Sequence, residues 1–211
     1  MNTTTTVARV TLRRGADLTP SPWKNGGGIT REIAAWPSDG ALPDTFAWRA
    51  SLAEIAQAGP FSRFAGVDRT LVLLDGAGLL LDETRAGGNA LRAMHTLSGP
   101  LDKARFAGES GIDARLAGGP VRVFNLMVRR DAANGALEVW RTPGRCSVSG
   151  QTVLLHAAQG VLDVSVAGGE CVALTAGDTL RIDAVHAVAV EARGDGAMLV
   201  VVLDPLPASG A

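Results

Sequence analysis

The sequence predicts an all-β fold of many short strands with few short helices. The 26 glycines and 10 prolines are spread along the 211 residues, and short runs rich in Val and Leu lie between them. Regular turns of this kind are typical of sandwiches and barrels, because each one ends a strand after a few residues. The best helical candidate is the short stretch LAEIAQAG at 52–59.

A faint internal repeat indicates how these strands are organised. RTLVLLDGAGLLLD at 69–82 predicts a strand, a Gly turn and a second strand, and TVLLHAAQGVLDV at 152–164 begins in the same way. The later stretch continues through a Gly-Asp turn into another strand, which resembles a cupin half-barrel. We therefore expect a bicupin with two small jelly-roll barrels. The first would span 1–140 with the N-terminal strands and the second 141–211, or both would form one compact unit.

Composition argues against several classes of protein. The formal net charge of −1, with no basic stripe, argues against a non-specific nucleic-acid binder. No stretch approaches the roughly 18 apolar residues of a membrane span, and MNTTTTVARV lacks the apolar segment of a signal peptide. With two isolated cysteines, Cys146 and Cys171, these features predict a cytoplasmic protein that binds neither nucleic acid nor membrane.

The histidines do not suggest a metal site. His95, His156 and His186 are far apart in the sequence and form no His-x-His pair, whereas a cupin metal needs several imidazole or carboxylate ligands. No Gly-x-Ser-x-Gly elbow or Cys-His pair indicates a nucleophile. We therefore expect no metal, no cofactor and no catalytic residue.

Cationic and amide side chains of the first half are better candidates for a binding site. In FAWRASLAEI the period of two places Arg49 and Ser51 on one face, with Trp48 and Leu52 on the other. An arginine that faces the interior of a small barrel is costly unless it meets an anion.

Two further strands add candidates of the same kind. Arg69 opens the apolar strand TLVLL, and Asn125 lies in the apolar strand VRVFNLMVRR. A buried Asn needs hydrogen-bond partners. Arg49 and Arg69 could instead be solvated or paired with Asp68 or Glu54.

The run PWKNGGGITREI at 22–33 is not a phosphate-binding loop. A P-loop places its Lys after the glycines and before a helix, whereas Lys24 precedes Gly26, and ITREI alternates as a strand does. The three glycines are either a geometric bend or a close approach of the backbone to a ligand beside Lys24 and Asn25.

Three motifs carry a resemblance to a known family. PWKNGGGITREI, WRASLAEIAQAGPFSRFAGVDRTLVLLDGAG and FNLMVRR occur in the order found in the HutD/Ves family. Ala65 is a departure, because FSxFPG is the usual form. The resemblance implies a two-barrel, RmlC-like cupin fold without a cupin metal site, and a link to bacterial histidine utilisation. The ligand-binding residues that we expect are Trp23, Lys24, Asn25, Arg49, Ser51, Phe61, Arg69, Phe106 and Asn125.

The resemblance also implies a function without an established enzymatic activity. The family is thought to bind a pathway intermediate, such as urocanate or formylglutamate, and to restrain pathway expression. We therefore expect a non-catalytic sensor of a small carboxylate, a homodimer and a regulatory protein partner. The alternative is a metal-free isomerase, lyase or deiminase-like enzyme, for which Glu32, Glu54 and Asp68 are the nearest acid–base candidates.

Overall fold

The computed structural model of this chain is all-β, as predicted. It describes residues 9–37, 45–87 and 90–207, and within these ranges the only helical element is the 3-10 turn Gly15–Asp17. No helix in this part of the chain is long and apolar enough to cross a membrane. The strands are β1 (Arg9–Arg13), β2 (Pro20–Pro22), β3 (Gly28–Trp36), β4 (Trp48–Ile55), β5 (Gly59–Pro60), β6 (Val67–Asp75), β7 (Leu79–Thr84), β8 (Leu91–Leu97), β9 (Lys103–Ala107), β10 (Gly111–Leu116), β11 (Val121–Arg129), β12 (Ala133–Trp140), β13 (Arg145–Gln159), β14 (Val161–Val166), β15 (Val172–Thr175), β16 (Thr179–Gly194) and β17 (Ala197–Pro205).

The described residues form two compact units. The first combines residues 9–18 with 134–205, and the second contains 19–133 with residues 206–207. β1 belongs to the first unit because it pairs antiparallel with β16, from Arg9 opposite Asp183 to Arg13 opposite Thr179. The sequence analysis placed this strand in the segment 1–140. The division of the chain into barrels at residues 140 and 141 stays a prediction.

The first unit is built on one sheet of seven strands. Their order is β12-β17-β13-β16-β14-β15, with β1 added to β16. Alternate residues of the long strands β13 and β16, such as Val153, Leu155, Leu180 and Ile182, are almost fully buried in one apolar cluster. Alternate residues of a strand share one face, so this face lies against the cluster. Residues 152–158 of β13 are buried on both faces.

The second unit is a sandwich of two sheets. Six strands in the order β2-β3-β4-β11-β6-β9 form one sheet, and four in the order β5-β10-β7-β8 form the other. Its core cluster joins Leu71 and Val123 of the first sheet to Leu81 and Ile112 of the second. The two sheets therefore bury their facing apolar sides against each other.

The stretch LAEIAQAG at 52–59, the best helical candidate in the sequence, does not form a helix. Leu52–Ile55 ends β4, which is hydrogen-bonded to β3 on one side and to β11 on the other. Pairing on both sides satisfies the backbone groups of this segment, and this tertiary context outweighs its weak helical preference.

The three glycines after Lys24 connect β2 to β3. Gly26 has a φ of +70° and donates a backbone hydrogen bond to Trp23 at 3.0 Å, which is the geometry of a tight turn. Gly28 begins β3 opposite Ile55. A Cβ on Gly28 would collide with the backbone oxygen of Glu54 and lie 3.1 Å from the Trp23 ring. The run is therefore both a turn and a close approach of two backbones.

We expect Gly28→Ala to lower the free energy of unfolding by about 1–3 kcal/mol, because the colliding backbone oxygen cannot move without disturbing the β3–β4 pairing. Urea denaturation measures this change. Gly99→Ala is the matched control, since its Cβ would meet no atom within 4 Å. Equal stability of the two variants would show that β3 and β4 do not need this close approach.

Candidate functional site

A cavity of about 600 Å³ lies in the second unit, on the face of the six-stranded sheet that also carries the core. Along β4 and β6 this face changes from apolar to charged, in the orders Ala53, Ser51, Arg49 and Leu71, Arg69, and β11 between them carries Val123, Asn125 and Met127. Alternate residues of a strand share a face. The site is therefore the continuation of the core along the same side of the sheet.

Strand register sets the order of side chains across the cavity. Met127 lies opposite Arg49 on one neighbouring strand and opposite Arg69 on the other. Asn125 lies opposite Ser51 on one neighbouring strand and opposite the buried Leu71 on the other. The two arginines are therefore separated by one strand, and the hydroxyl and the amide lie one row deeper.

The charges that line the cavity have one sign. Its lining includes Lys24, Arg49, Arg63 and Arg69, and among the described residues it contains no Asp, Glu or His. The remaining described lining residues are apolar or neutral, so the site offers an anion several cations, of which Arg49 is already paired with Glu32.

Arg69 is the deepest of these cations. Its side chain is 8% exposed, and its guanidinium carbon lies 5.2–5.7 Å from the ring centroids of Phe61, Phe64 and Phe106. Nη1 donates to the Ser62 carbonyl at 3.4 Å, while Nε has no partner among the residues that the structure describes. Three aromatic faces are attractive to the cation but do not neutralise it.

The buried position of Arg69 changes its acidity. Desolvation by burial, and then the positive charge of Arg49, lower the pKa of Arg69 to about 10. Burial disfavours the charged form of a base unless an opposite charge is close. No carboxylate of the described residues lies within 4 Å of this guanidinium, so the cation has no counter-ion in this part of the chain.

The carboxylates suggested as partners or acid–base groups are paired elsewhere. Glu32 accepts from Nε of Arg49 at 2.7 Å. Glu54 pairs with Arg31, and Asp68 accepts from Arg105 and Arg130, each at 2.7 Å. Asp68 is not the partner of Arg69, because adjacent residues of β6 point to opposite faces. None of the three carboxylates lines the cavity.

Two polar side chains, Asn125 and Ser51, lie one row deeper in the cavity than the row of Arg49 and Arg69. The Asn125 Oδ1 atom accepts from Nη2 of Arg69 at 3.5 Å, a long hydrogen bond. Ser51 is 1% exposed, and its Oγ has no partner among the described atoms. A buried hydroxyl without a partner is costly, and a ligand oxygen at this position would satisfy it.

The turn after β2 forms another wall of the cavity. Trp23 donates from Nε1 to Thr30 Oγ1 at 2.8 Å and meets the Phe61 ring edge-on at 6.3 Å. Asn25 accepts from the Gly27 amide at 3.0 Å, so its oxygen is engaged in holding the turn. Lys24 is exposed, so it lines the cavity from its solvent side.

Eight of the nine predicted residues line this one cavity. The exception is Phe106, which lies under the Arg69 guanidinium and belongs to the core cluster. Whether these residues bind a ligand stays a prediction. The sequence analysis did not select Arg63, Phe64 or Thr30. Arg63 and Phe64 belong to the motif FSRF at 61–64, whereas no local sequence pattern indicates that Thr30 would line a site.

No group of three or more His, Cys, Asp or Glu residues within the described ranges is placed to hold a metal ion. His156 is buried and hydrogen-bonded through Nδ1 to Thr179 at 2.9 Å in the first unit. In the second unit, Nε2 of His95 on β8 lies 2.9 Å from the carboxylate of Glu83 on β7.

Comparison with known proteins decides the family. The HutD family model matches residues 15–200. This chain belongs to the HutD family. A Pseudomonas putida relative, described as an uncharacterised 21.2 kDa protein in the hutC 3′ region, is 37% identical over 84% of this chain and 88% of its own length. The protein Ves of Cronobacter sakazakii is 41% identical over 56% of this chain and 59% of its own length.

Solved structures agree with this assignment. A structure of HutD from Pseudomonas fluorescens SBW25 is 31% identical to this HutD-family chain, with a TM-score of 0.78 over 94% of this chain and all of the other. The oxalate decarboxylase of Lactobacillus farciminis is 10% identical, with a TM-score of 0.63 over 95% and 88% of the two chains. The second likeness shows only the fold, which is cupin-like.

We expect Arg69→Met to leave the free energy of unfolding unchanged or to raise it by up to about 3 kcal/mol, because it removes a desolvated charge that has no counter-ion. Thermal and urea unfolding of the ligand-free protein measure this change. Arg49→Met, which breaks the pair with Glu32, serves as the control and should cost less than about 1 kcal/mol. A clear loss of stability in Arg69→Met alone would show that the guanidinium holds the fold together.

Proposed function

We propose that this protein binds a small carboxylate, without transforming it, in the cavity around Arg69. The observation that carries the proposal is the buried guanidinium, which has no carboxylate partner among the residues that the structure describes. Removing a cation from water is costly unless an anion meets it. A ligand carboxylate is the group whose two oxygens match the planar fork of an arginine.

The surroundings of Arg69 suit such a ligand. The unpartnered Ser51 hydroxyl and the Asn125 amide offer further hydrogen bonds to a carboxylate oxygen. The rings of Phe61 and Phe64 shield the guanidinium on the cavity side. Low polarity around an ion pair strengthens its attraction. A bound carboxylate would also raise the pKa of Arg69 back toward its ordinary value.

Membership of the HutD family supports a role in histidine utilisation. We propose that the ligand is an intermediate of histidine degradation, either urocanate or a formylglutamate-like carboxylate. Occupation of the cavity would then modulate expression of the pathway, read by a regulatory protein partner. The relative from the hutC 3′ region supports the link to this pathway through its genomic position.

A metal-free enzyme acting on the same ligands is the alternative. General acid–base catalysis needs a titratable group within hydrogen-bond reach of the reacting atom. The lining supplies one lysine and three arginines. Glu54 and Asp68 are paired with arginines outside the lining, and Glu32, which does not itself line the cavity, is held by the lining residue Arg49. The four cations of the lining favour the binding of an anion, and we therefore prefer a non-catalytic binding protein to an enzyme.

The proposal includes the domain architecture, the cellular location and the oligomeric state of the protein. Each unit would be one jelly-roll barrel of a bicupin, and the protein would act in the cytoplasm as a homodimer. Light scattering and mass spectrometry at working concentration measure the oligomeric state. A pure monomer would contradict the dimer without affecting the cavity.

A thermal-shift screen with compounds of histidine degradation tests the function, because a ligand that binds only the folded state raises its melting temperature. For the carboxylate that binds, Arg69→Ala should weaken the affinity about 30-fold or more, since a desolvated charge pair is worth roughly 2–5 kcal/mol. Arg69→Lys should restore part of the affinity, because an ammonium lacks the planar fork. Isothermal calorimetry measures each variant.

Arg105→Ala is the matched control for this experiment. Arg105 is exposed on β9 and pairs with Asp68 outside the cavity, so its loss should leave the affinity unchanged. Equal affinity of the Arg69→Ala variant and the native protein would sink the proposal that Arg69 receives the ligand.

A further inference from the structure

We infer that the ligand of this cavity carries two anionic groups, one bound at Arg69 and the second at the outer pair Lys24 and Arg63. The inference rests on the proposed function and specifies its ligand class. It selects a short dicarboxylate over a ligand with one carboxylate and a neutral ring.

The count of charges within the cavity is the first argument. Arg49 already has a counter-ion in Glu32. Arg69, Lys24 and Arg63 have no carboxylate within 4 Å among the described residues. One carboxylate at Arg69 would leave both exposed cations of the lining unpaired. A second anionic group would place opposite charge beside them as well.

The position of Arg63 is the second argument. Phe61 donates its amide to Ile112 at 2.9 Å, and Phe64 donates its amide to Gly108 at 2.8 Å, so the loop is fixed on both sides of this arginine. A Cβ on Gly111 would lie 2.8 Å from Nη2 of Arg63. The guanidinium therefore rests against the β10 backbone, where a glycine leaves room for it.

Lys24 is carried by a turn that is fixed in a comparable way. The backbone hydrogen bond from Gly26 to Trp23 spans the lysine, and Asn25 accepts from the next amide. Because the backbone on both sides is held, the ammonium is confined to the neighbourhood of the cavity. Two cations on separate fixed loops are suited to a group that projects outward from the deep site.

The surface between the deep and outer cations favours a short hydrocarbon spacer. Ile55, Leu71 and Phe61 line the cavity together with the charged residues. A neutral imidazole brings no negative charge to Lys24 and Arg63, and the described lining residues offer its N–H no carboxylate, although the Ser51 hydroxyl could accept it. The oxygens of Asn25 and Thr30 already accept hydrogen bonds from the protein. A dicarboxylate needs donors and cations, which the lining does supply.

Paired ligands that differ by one charge test the inference. The pairs are glutarate with its monoamide and N-formylglutamate with N-formylglutamine, measured by calorimetry at low salt together with urocanate. The native protein should bind each diacid about tenfold more tightly than its monoamide, since two partly exposed cations each contribute a few-fold. Added salt should reduce this preference, because exposed charges are screened.

Variants assign the preference to the outer pair. The double variant Lys24→Gln/Arg63→Gln should bind diacid and monoamide within about twofold of each other, while Arg69→Ala weakens both members. Lys103→Gln, which removes an exposed charge outside the cavity, should keep the full preference. Unchanged melting temperatures confirm that the variants are folded.

The outcomes separate the two claims. Equal affinity of the native protein for diacid and monoamide, or tighter binding of urocanate than of either diacid, overturns the second anionic group and leaves the proposed function standing. A preference that survives in the double variant overturns the assignment to Lys24 and Arg63. Absence of binding by all five compounds at millimolar concentration contradicts the proposed function itself.

Discussion

The buried guanidinium of Arg69 is the constraint around which the second unit is arranged. Two phenylalanine rings of the loop before β6 and a third from β9 surround it at 5.2–5.7 Å. They replace water over its faces, yet its charge has no carboxylate among the described residues. Pairing of β6 with β9 and β11 holds the arginine in place. Among the described residues, the protein thus keeps this cation desolvated and without an opposite charge, the state in which an anion would be attracted most strongly.

The charged residues on the two faces of β6 differ in their pairing among the described residues. On the outer face, Asp68 is shared by Arg105 and Arg130, and these side chains reach solvent. On the inner face, the next residue along the strand is Arg69, a cation without a counter-ion among the described residues. Surface pairs such as those of Asp68 add little stability, whereas a buried charge without a partner is costly to the fold. This asymmetry distinguishes the inner face from the outer one.

Much of the site could be predicted because it depends on strand alternation. The period of two placed Arg49 and Ser51 on the cavity face, and the apolar run after Arg69 indicated a buried strand end. The same rule excludes Asp68 as its partner, and the sequence analysis did not apply it there. Arg63 and Thr30 depend on loop fixation and on the β2–β3 turn, which no local pattern reveals. The helical alternative for 52–59 failed because pairing on both sides is a tertiary effect.

The pairing of β1 with β16 has a consequence for synthesis of the chain. Residues 19–133 lie between β1 and the sheet that receives it, and β1 cannot pair before Thr179–Asp183 has been synthesised. At translation rates of roughly 5–20 residues per second, β1 waits on the order of ten seconds for its partner. During that interval its unpaired edge is available to other extended chains. A holdase that binds extended segments would therefore have until the synthesis of Thr179–Asp183 to bind β1.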